Sequence, residues 1–384
     1  MKILFIGTRL FDDVSWYTKQ KNITSIVTES NEKEENLKLA DKHYIVPRGM
    51  EKPKEIAIKE DVDAVIPLIG IDPPLTQVGQ LKDELEEDYG IPVIASGYEC
   101  AKLAANKYET KKLLENNDIQ TPSFDKLNED FDIDLLEDKL PLVLKTPEGQ
   151  GGIGVKIALT KDDIEEFTQS KNNIFTEEYV EGFEASIEVL RWKDKQVALQ
   201  PIYKGQTTLN GTHPLSKIKQ GPLNIDSLDN EKHNQSLRQL AEKLAKLVNS
   251  EGTMDIDILH DNNKNEDYII ELNTRPSGTR YMTAATTGIY PLCQLVDMAC
   301  GNWNSNDVQK NMKSYCSAEL PVGDFPQDKQ IPENKVFEGD LSYVVHGPEH
   351  YQRVTLRAPT KEKLNSLTYD LVEDYATKEQ IKFT

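Results

Sequence analysis

The feature that most constrains this chain is a pair of strand-like segments in its last third that carry oxygen-bearing side chains. In the second segment Glu271 and Asn273 are two residues apart among apolar neighbours, so on a β-strand both side chains point to one face. The preceding segment, 254–259, contains Asp257. Two carboxylates and one amide oxygen are hard donors of the kind that Mg²⁺ accepts while keeping positions for water and phosphate. The sequence therefore predicts a magnesium site for a nucleotide.

A glycine-rich loop near the middle of the chain predicts a second part of the same site. Lys145 ends an apolar run and is followed by Gly149, Gly151, Gly152 and Gly154. Glycines let backbone N–H groups approach a polyphosphate closely, and the lysine places a cation nearby. The lysine precedes the glycines and a strand-like run follows them, so the loop matches neither the P-loop nor the dinucleotide fingerprint. We interpret it as a lid over phosphates; an ordinary hairpin turn is the alternative.

Together these segments resemble the ATP-grasp superfamily, which includes carboxylate-amine ligases, biotin carboxylase and the synthetase half of carbamoyl-phosphate synthase. The resemblance implies that Asp257, Glu271 and Asn273 hold one or two Mg²⁺ ions, for which Mn²⁺ can substitute. It also implies that ATP is the nucleotide and that Lys107 and Lys145 reach its phosphates. For the metal residues alone, the alternative is a hairpin with a solvated polar face.

The resemblance extends to the segment 174–184, which corresponds to the hinge that holds adenine in the family. Glu177 is expected to contact the adenine amino group. The backbone of Glu178 and Val180 is expected to imitate a base-pairing edge, and Glu184 to bind the ribose hydroxyls. A charged strand edge is the alternative for any one of these glutamates.

Two residues are expected to act on the reacting groups. Arg275 follows Asn273 closely, and its planar guanidinium suits the transferring phosphoryl group or an acyl carboxylate. Lys145 is expected to clamp the phosphates during transfer. A structural ion pair with one of the many acidic residues is the alternative for Arg275.

Substrate contacts are predicted less specifically. The polar loop 201–213 contains Lys204 and His213. Ser277 and Arg280 follow the strand-like segment that contains Glu271 and Asn273. These cations and hydroxyls suit the carboxylate of an amino acid or a peptide. The pattern does not distinguish one acceptor from another.

The order of segments predicts an α/β and α+β multidomain protein with the ATP-grasp fold. Short apolar strands alternate with helical segments in 1–97, which indicates a doubly wound parallel-sheet domain. Residues 98–301 are expected to form the two-lobed nucleotide-binding region, with a lid lobe at about 119–182 and a metal lobe at about 183–301. Residues 302–384 are read as a small C-terminal α+β appendage.

Charge and hydropathy bound the possible partners. The chain has 45 basic and 65 acidic residues, for a formal net charge of −20, so its surface repels nucleic acid and anionic membranes. It contains no apolar stretch near the ~20 residues that a membrane-spanning helix needs. We therefore predict a cytoplasmic protein with small-molecule carboxylate and amine substrates, with a homodimer as an open option.

These observations favour an ATP-dependent ligase that forms an amide or peptide bond through an acyl phosphate and releases ADP and phosphate. One alternative is phosphorylation of carbonate or carbamate, as in carbamoyl-phosphate synthase. Its large subunit has two tandem grasp units, whereas this chain has one set of motifs. The other alternative is a non-catalytic ATP-binding scaffold in a biosynthetic complex, such as one that assembles cell-wall precursors.

Overall fold

A computed structural model describes residues 1–128, 131–211, 216–226 and 228–378, which form three β-sheets with helices packed on their faces. The strands are β1 (Lys2–Ile6), β2 (Thr24–Glu29), β3 (Lys42–Ile45), β4 (Ala64–Pro67), β5 (Phe124–Lys126), β6 (Leu142–Lys145), β7 (Val155–Ala158), β8 (Phe175–Glu178), β9 (Gly182–Trp192), β10 (Lys195–Ala198), β11 (Ile202–Gln206), β12 (Lys219–Gly221), β13 (Gly252–Asp261), β14 (Glu266–Asn273), β15 (Cys316–Gly323), β16 (Ser342–His346) and β17 (Gln352–Ala358). The helices are α1 (Ser15–Gln20), α2 (Glu51–Glu60), α3 (Leu75–Tyr89), α4 (Tyr98–Ala104), α5 (Lys107–Asn116), α6 (Ile133–Glu137), α7 (Lys161–Ser170), α8 (Asn230–Leu247), α9 (Arg280–Thr287), α10 (Pro291–Ala299), α11 (Ser305–Asn311) and α12 (Lys361–Lys378). Within these ranges, no helix combines the length and the apolar character needed to cross a membrane.

The first sheet is parallel, with the strand order β3-β2-β1-β4. Successive side chains of a strand point to opposite faces, and both faces of β1 are buried. Ile3 and Phe5 pack in a cluster that includes residues of α10, whereas Leu4 and Ile6 pack in a separate cluster. The predicted doubly wound sheet is confirmed. Its face that contains Ile3 and Phe5 packs against the rest of the molecule.

The second sheet forms the lid lobe. Its strands β5-β8-β6-β7 are antiparallel, and α7 covers one face through Ile164 and Phe167, which pack with Leu142 and Leu144. A capping box fixes the start of α7, because the side chain of Thr160 accepts from the backbone of Asp163 while the Asp163 carboxylate accepts in return. The glycine-rich loop connects β6 to β7, so it projects from one end of this sheet.

The third sheet is nine-stranded, with the order β14-β13-β9-β11-β12-β15-β17-β16 and with β10 paired to β9. Helix α8 buries Leu237, Ala241 and Leu244 on one face of this sheet; their spacing of three and four residues places them on one side of a helix. The strands that carry the predicted metal ligands, β13 and β14, lie at one edge of the sheet.

The C-terminal segment is α+β, as predicted, but it is not detached. Strand β15 pairs with β12, so β15, β16 and β17 continue the third sheet. Leu364 of α12 packs with Leu320 and Leu356 beneath these strands. The domain boundaries at 97 and 301 stay predictions.

Candidate active site

The predicted metal ligands lie on one face of the β13–β14 hairpin. The antiparallel register pairs Asp257 with Glu271 and Asp255 with Asn273. Asn273 Nδ2 is 3.5 Å from Asp257 Oδ2. The structure therefore brings the three predicted ligands together, as the period-two argument requires.

Asp255 is a fourth oxygen donor at this place and is not among the predicted metal ligands. It is 4% exposed, and its Oδ1 has no hydrogen-bond partner among the described residues. Burial and the neighbouring charge of Asp257 raise the pKa of the Asp255 carboxyl to about 7. An unpartnered carboxylate oxygen beside two more carboxylates and an amide fits a hard divalent cation. Its spacing of two residues from Asp257 was the signal that could have found it.

Among the described residues, three cationic side chains contact the predicted metal ligands. Lys107 Nζ is 3.0 Å from Glu271 Oε1, and Arg275 Nη2 donates to Asn273 Oδ1 at 3.2 Å. The ammonium of Lys204 donates to Asp257. Burial alone would lower the pKa of Lys204, but the charges of Asp257 and Asp255 raise it. Lys204, a predicted substrate contact, thus lies on the face of the third sheet that carries Asp255, Asp257, Glu271 and Asn273, which we call the metal face.

Lys107 also joins the metal strands to the glycine-rich loop. Its ammonium donates to the carbonyl of Gly149, and its backbone N–H donates to the carbonyl of Pro147 at 2.8 Å. One lysine therefore contacts both Glu271 and the lid. This is the position expected of a group that binds phosphates between the two lobes.

The lid glycines have two different roles. A Cβ at Gly154, where φ is +76°, would lie 2.1 Å from Thr146 Oγ1, so only glycine fits there. Gly151 and Gly152 also have positive φ, but nothing lies within 4 Å of the place of a Cβ. Their backbone faces open space, which fits the approach of a phosphate group.

The predicted adenine contact, Glu177, is buried between two ammonium groups. Lys145 Nζ is 2.8 Å from its Oε2, and Lys111 Nζ is 3.1 Å from its Oε1. Burial alone would raise the pKa of Glu177, but the two lysines lower it, and burial lowers the pKa of Lys111 to about 8. Lys111 was missed, although it lies one helical turn after Lys107 on α5.

The remaining hinge residues extend from the end of β8 to the start of β9. Glu178 is exposed and pairs with Lys264 at 3.1 Å, and Val180 is buried. Glu184 Oε1 is 3.0 Å from Lys217 Nζ. The assignment of these residues and of Glu177 to the nucleotide stays a prediction.

Ser277 and Arg280, the predicted substrate residues that follow Asn273, each contact other parts of the chain. Ser277 is buried, and its hydroxyl bonds to that of Thr279 at 2.7 Å. Arg280 Nε donates to Asp13 Oδ2 at 2.6 Å, which ties α9 to the N-terminal domain. His213 lies outside the described residues.

A cleft of about 950 Å³ lies on the opposite face of the third sheet, between α8 and α12. Tyr203 and Asn234 line it, whereas Lys204, next to Tyr203 on β11, points to the metal face. Size alone therefore does not locate the candidate active site. The grouping of charged side chains on the metal face does.

Comparisons with known proteins agree with this geometry. A family model described as an ATP-grasp domain matches residues 104–279. A protein of Methanobrevibacter smithii named carbamoyl-phosphate synthase is 44% identical to the chain, over 97% of this chain and 100% of that protein. The chain belongs to the ATP-grasp family.

Two further ATP-grasp relatives are more distant. A D-alanine–D-alanine ligase of Carboxydothermus hydrogenoformans is 30% identical, over 54% of this chain and 68% of the ligase. The biotin carboxylase domain dimer of the Hydrogenobacter thermophilus 2-oxoglutarate carboxylase, solved with MgADP, ADP and bicarbonate, superposes with a TM-score of 0.76. It is 18% identical, and the match covers 97% of this chain and 89% of that chain, so it supports the fold alone.

ATP-grasp membership confirms several predictions at the level of the family. The chain has the ATP-grasp fold and is of the ATP-dependent carboxylate-amine ligase class. ATP and Mg²⁺ are the cofactors of that class, and its substrates are small molecules. The roles of individual residues stay predictions.

Proposed function

We propose that this chain is a ligase that activates a small carboxylate with ATP and transfers the acyl group to an amine. The observation that carries the proposal is the convergence of Asp257, Glu271 and Asn273 on one sheet face, with Lys107 joining that face to the lid. The product would be an amide or a peptide bond, with release of ADP and phosphate.

The described residues supply most of what this reaction needs. Mg²⁺, held by Asp257, Glu271 and Asn273, would neutralise charge on the terminal phosphates when bound. Lys107 and Lys145 would bind the same phosphates. Arg275 would stabilise the charge that develops as the carboxylate oxygen attacks the phosphorus in line. The lid would exclude water from the activated acyl group.

Phosphorylation of carbonate or carbamate is a second candidate. It is favoured by the name of the Methanobrevibacter relative, which the chain matches over 100% of its length. The single set of motifs argues against two successive phosphorylations in one chain. Bicarbonate therefore belongs among the carboxyl substrates to be tested.

Partners beyond small molecules stay predictions. The Hydrogenobacter structure is described as a dimer, which supports testing this chain for a homodimer. Its formal net charge of −20 disfavours nucleic acid as a partner. The cytoplasmic location predicted from the sequence is untested.

The test is ADP release with Mg²⁺–ATP and paired carboxylate and amine substrates, with bicarbonate as a separate carboxyl donor. In this assay we expect Asn273→Ala to lower ADP release about 100-fold or more, because the variant loses a metal ligand and a partner of Arg275. Thermal melting is expected to change by only a few degrees, since the side chain faces polar groups and contributes little to apolar packing.

The matched control is Asn263→Ala, which removes an exposed asparagine from the turn of the same hairpin. It is expected to retain full activity. Normal ADP release by Asn273→Ala would show that the metal assignment is wrong. Absence of turnover by the unaltered protein with every pair, despite Mg²⁺-dependent ATP binding, would favour the scaffold alternative.

A further inference from the structure

Asp72 lies in the loop between β4 and α3 and contacts two other parts of the molecule. Its carboxylate accepts from Nε of Arg275, which follows the metal strand. Its backbone N–H donates to Oε1 of Gln150, in the glycine-rich lid, at 2.6 Å. A single residue of the N-terminal domain thus contacts both the lid and the arginine beside the metal ligands.

The carboxylate contact fixes the direction of the Arg275 guanidinium. Nε is held by Asp72, and Nη2 donates to Asn273 Oδ1 at 3.2 Å. A guanidinium is planar, so two contacts on different nitrogens define its plane. Both side chains of the ion pair are largely buried, with 15% and 18% exposed, so solvent competes little for the contact.

The backbone contact holds the lid at a second point. Lys107 holds the lid through the carbonyl of Gly149, and Gln150 is the next residue along the loop. Gln150 is half-buried in a segment where several residues have positive φ. The Gln150 side chain therefore links the position of the lid directly to the 70–72 loop.

We propose that Asp72 is a positioning residue that couples closure of the lid to the orientation of Arg275. When Gln150 docks on the Asp72 backbone, the loop is held in the position from which the carboxylate aligns the guanidinium. When the lid leaves, the loop loses that restraint, and Arg275 is aligned less well. The inference rests on the proposed function, since it gives Arg275 a role only if Arg275 acts on the phosphoryl group.

The coupling predicts effects that cross from one contact to the other. Asp72→Asn keeps the N–H that Gln150 accepts from but removes the charge that holds Arg275. Gln150→Ala keeps the ion pair but removes the lid contact. Independent structural contacts would each change only their own neighbourhood. Coupled contacts change both.

The first arm is hydrogen exchange of the segment 147–154, with and without Mg²⁺ and a non-hydrolysable ATP analogue. Gln150→Ala is expected to speed exchange about fivefold, the effect of losing one hydrogen bond. Asp72→Asn is expected to speed it at least twofold, although its lid contact is intact. Unchanged lid exchange in Asp72→Asn overturns the proposal, and this arm needs no acceptor.

The second arm is steady-state ADP release with an active substrate pair. Gln150→Ala is expected to lower kcat about tenfold, and the double variant to lower it less than the product of the two single effects. Multiplicative effects overturn the coupling. The controls are Asp88→Asn, exposed on α3, and Gln169→Ala, exposed on α7; both are expected to match the unaltered protein in both arms. If no substrate pair is active, the proposed function fails, while the exchange arm still decides the coupling.

Discussion

At the scale of single residues, substitution of Lys204 tests whether the metal face binds a divalent cation. Its largely buried ammonium contacts Asp257 and is also close enough to Asp255 to be influenced by its charge. Removing one member of a buried ion pair typically costs about 3–5 kcal/mol. We expect Lys204→Met to lower the melting temperature by about 5–10 °C without Mg²⁺, because the carboxylates then repel one another. About 10 mM Mg²⁺ is expected to restore most of the loss, since Mg²⁺ binds these carboxylates.

The measurement is thermal melting across a Mg²⁺ titration, with NaCl at matched ionic strength as the comparison. Lys195→Met, on the exposed part of β10, is the control and is expected to melt like the unaltered protein under both conditions. Equal recovery with NaCl and with Mg²⁺ would mean that screening suffices. The metal face would then have no preference for a divalent ion.

The sequence predicts those site residues whose positions follow from the two-residue repeat of a β-strand. Glu271 and Asn273 share a face because they are two apart on a strand, and the same rule applied to Asp257 leads to Asp255. Asp72 was not predictable in its present role, because it lies 203 residues from Arg275 along the chain. Nothing local in either segment indicates that contact. It depends on how the first sheet packs against the third.

At the scale of elements, a carboxylate between two histidines fastens α8 to the third sheet. Asp267 of β14 contacts His233 Nε2 of α8 at 2.6 Å and His260 Nδ1 of β13 at 2.9 Å. Burial alone would raise the pKa of Asp267, but hydrogen bonds from the two imidazoles lower it to about 2. These residues belong to three different elements, so no local sequence pattern connects them.

This pKa predicts an acid-dependent contribution to stability. A native pKa of about 2 against about 3.9 in the unfolded chain corresponds to roughly 2.5 kcal/mol. Because the native pKa is depressed, the contribution is fully present above pH 4 and is lost as the pH falls toward 2. The stability difference between the unaltered protein and Asp267→Asn is therefore expected to shrink as the pH falls from 4 toward 2.

Urea unfolding at a series of pH values measures this difference. The control is Asp324→Asn, in which an exposed carboxylate loses its contact with His350 at 3.0 Å; solvent screening makes its expected effect small at every pH. A stability difference for Asp267→Asn that does not depend on pH would contradict the assignment. The carboxylate would then act by shape and packing alone.

Most elements could be predicted from the sequence, whereas their pairing could not. The apolar run at 2–6 predicts a strand and coincides with β1, and leucines and alanines at helical spacing at about 233–250 predict a helix and overlap α8. The order of the third sheet depends on long-range pairs such as β12 with β15, which are separated by about 100 residues. No local pattern encodes such a partner, so the C-terminal segment is read as an appendage.

For the whole molecule, that pairing makes β15, β16 and β17 of the C-terminal segment part of the third sheet. Lys219 of β12 is buried and donates to Glu319 of β15, which also contacts His346 at 3.3 Å. Without the segment, Lys219 would keep a buried charge with no carboxylate partner, and β12 would become an open sheet edge. The apolar residues that α12 covers would also be exposed to water.

We therefore expect a chain that ends at Gly301 to be insoluble or aggregated, and not to bind ATP as a smaller folded enzyme. Soluble yield and size-exclusion chromatography measure the outcome. Coexpression of 302–384 as a separate chain is expected to recover part of the soluble material, because β15 can still pair with β12 in trans. A soluble, monomeric 1–301 fragment with cooperative melting and normal ATP binding would show that the segment is a detachable addition. The continuity of the sheet would then contribute little to stability.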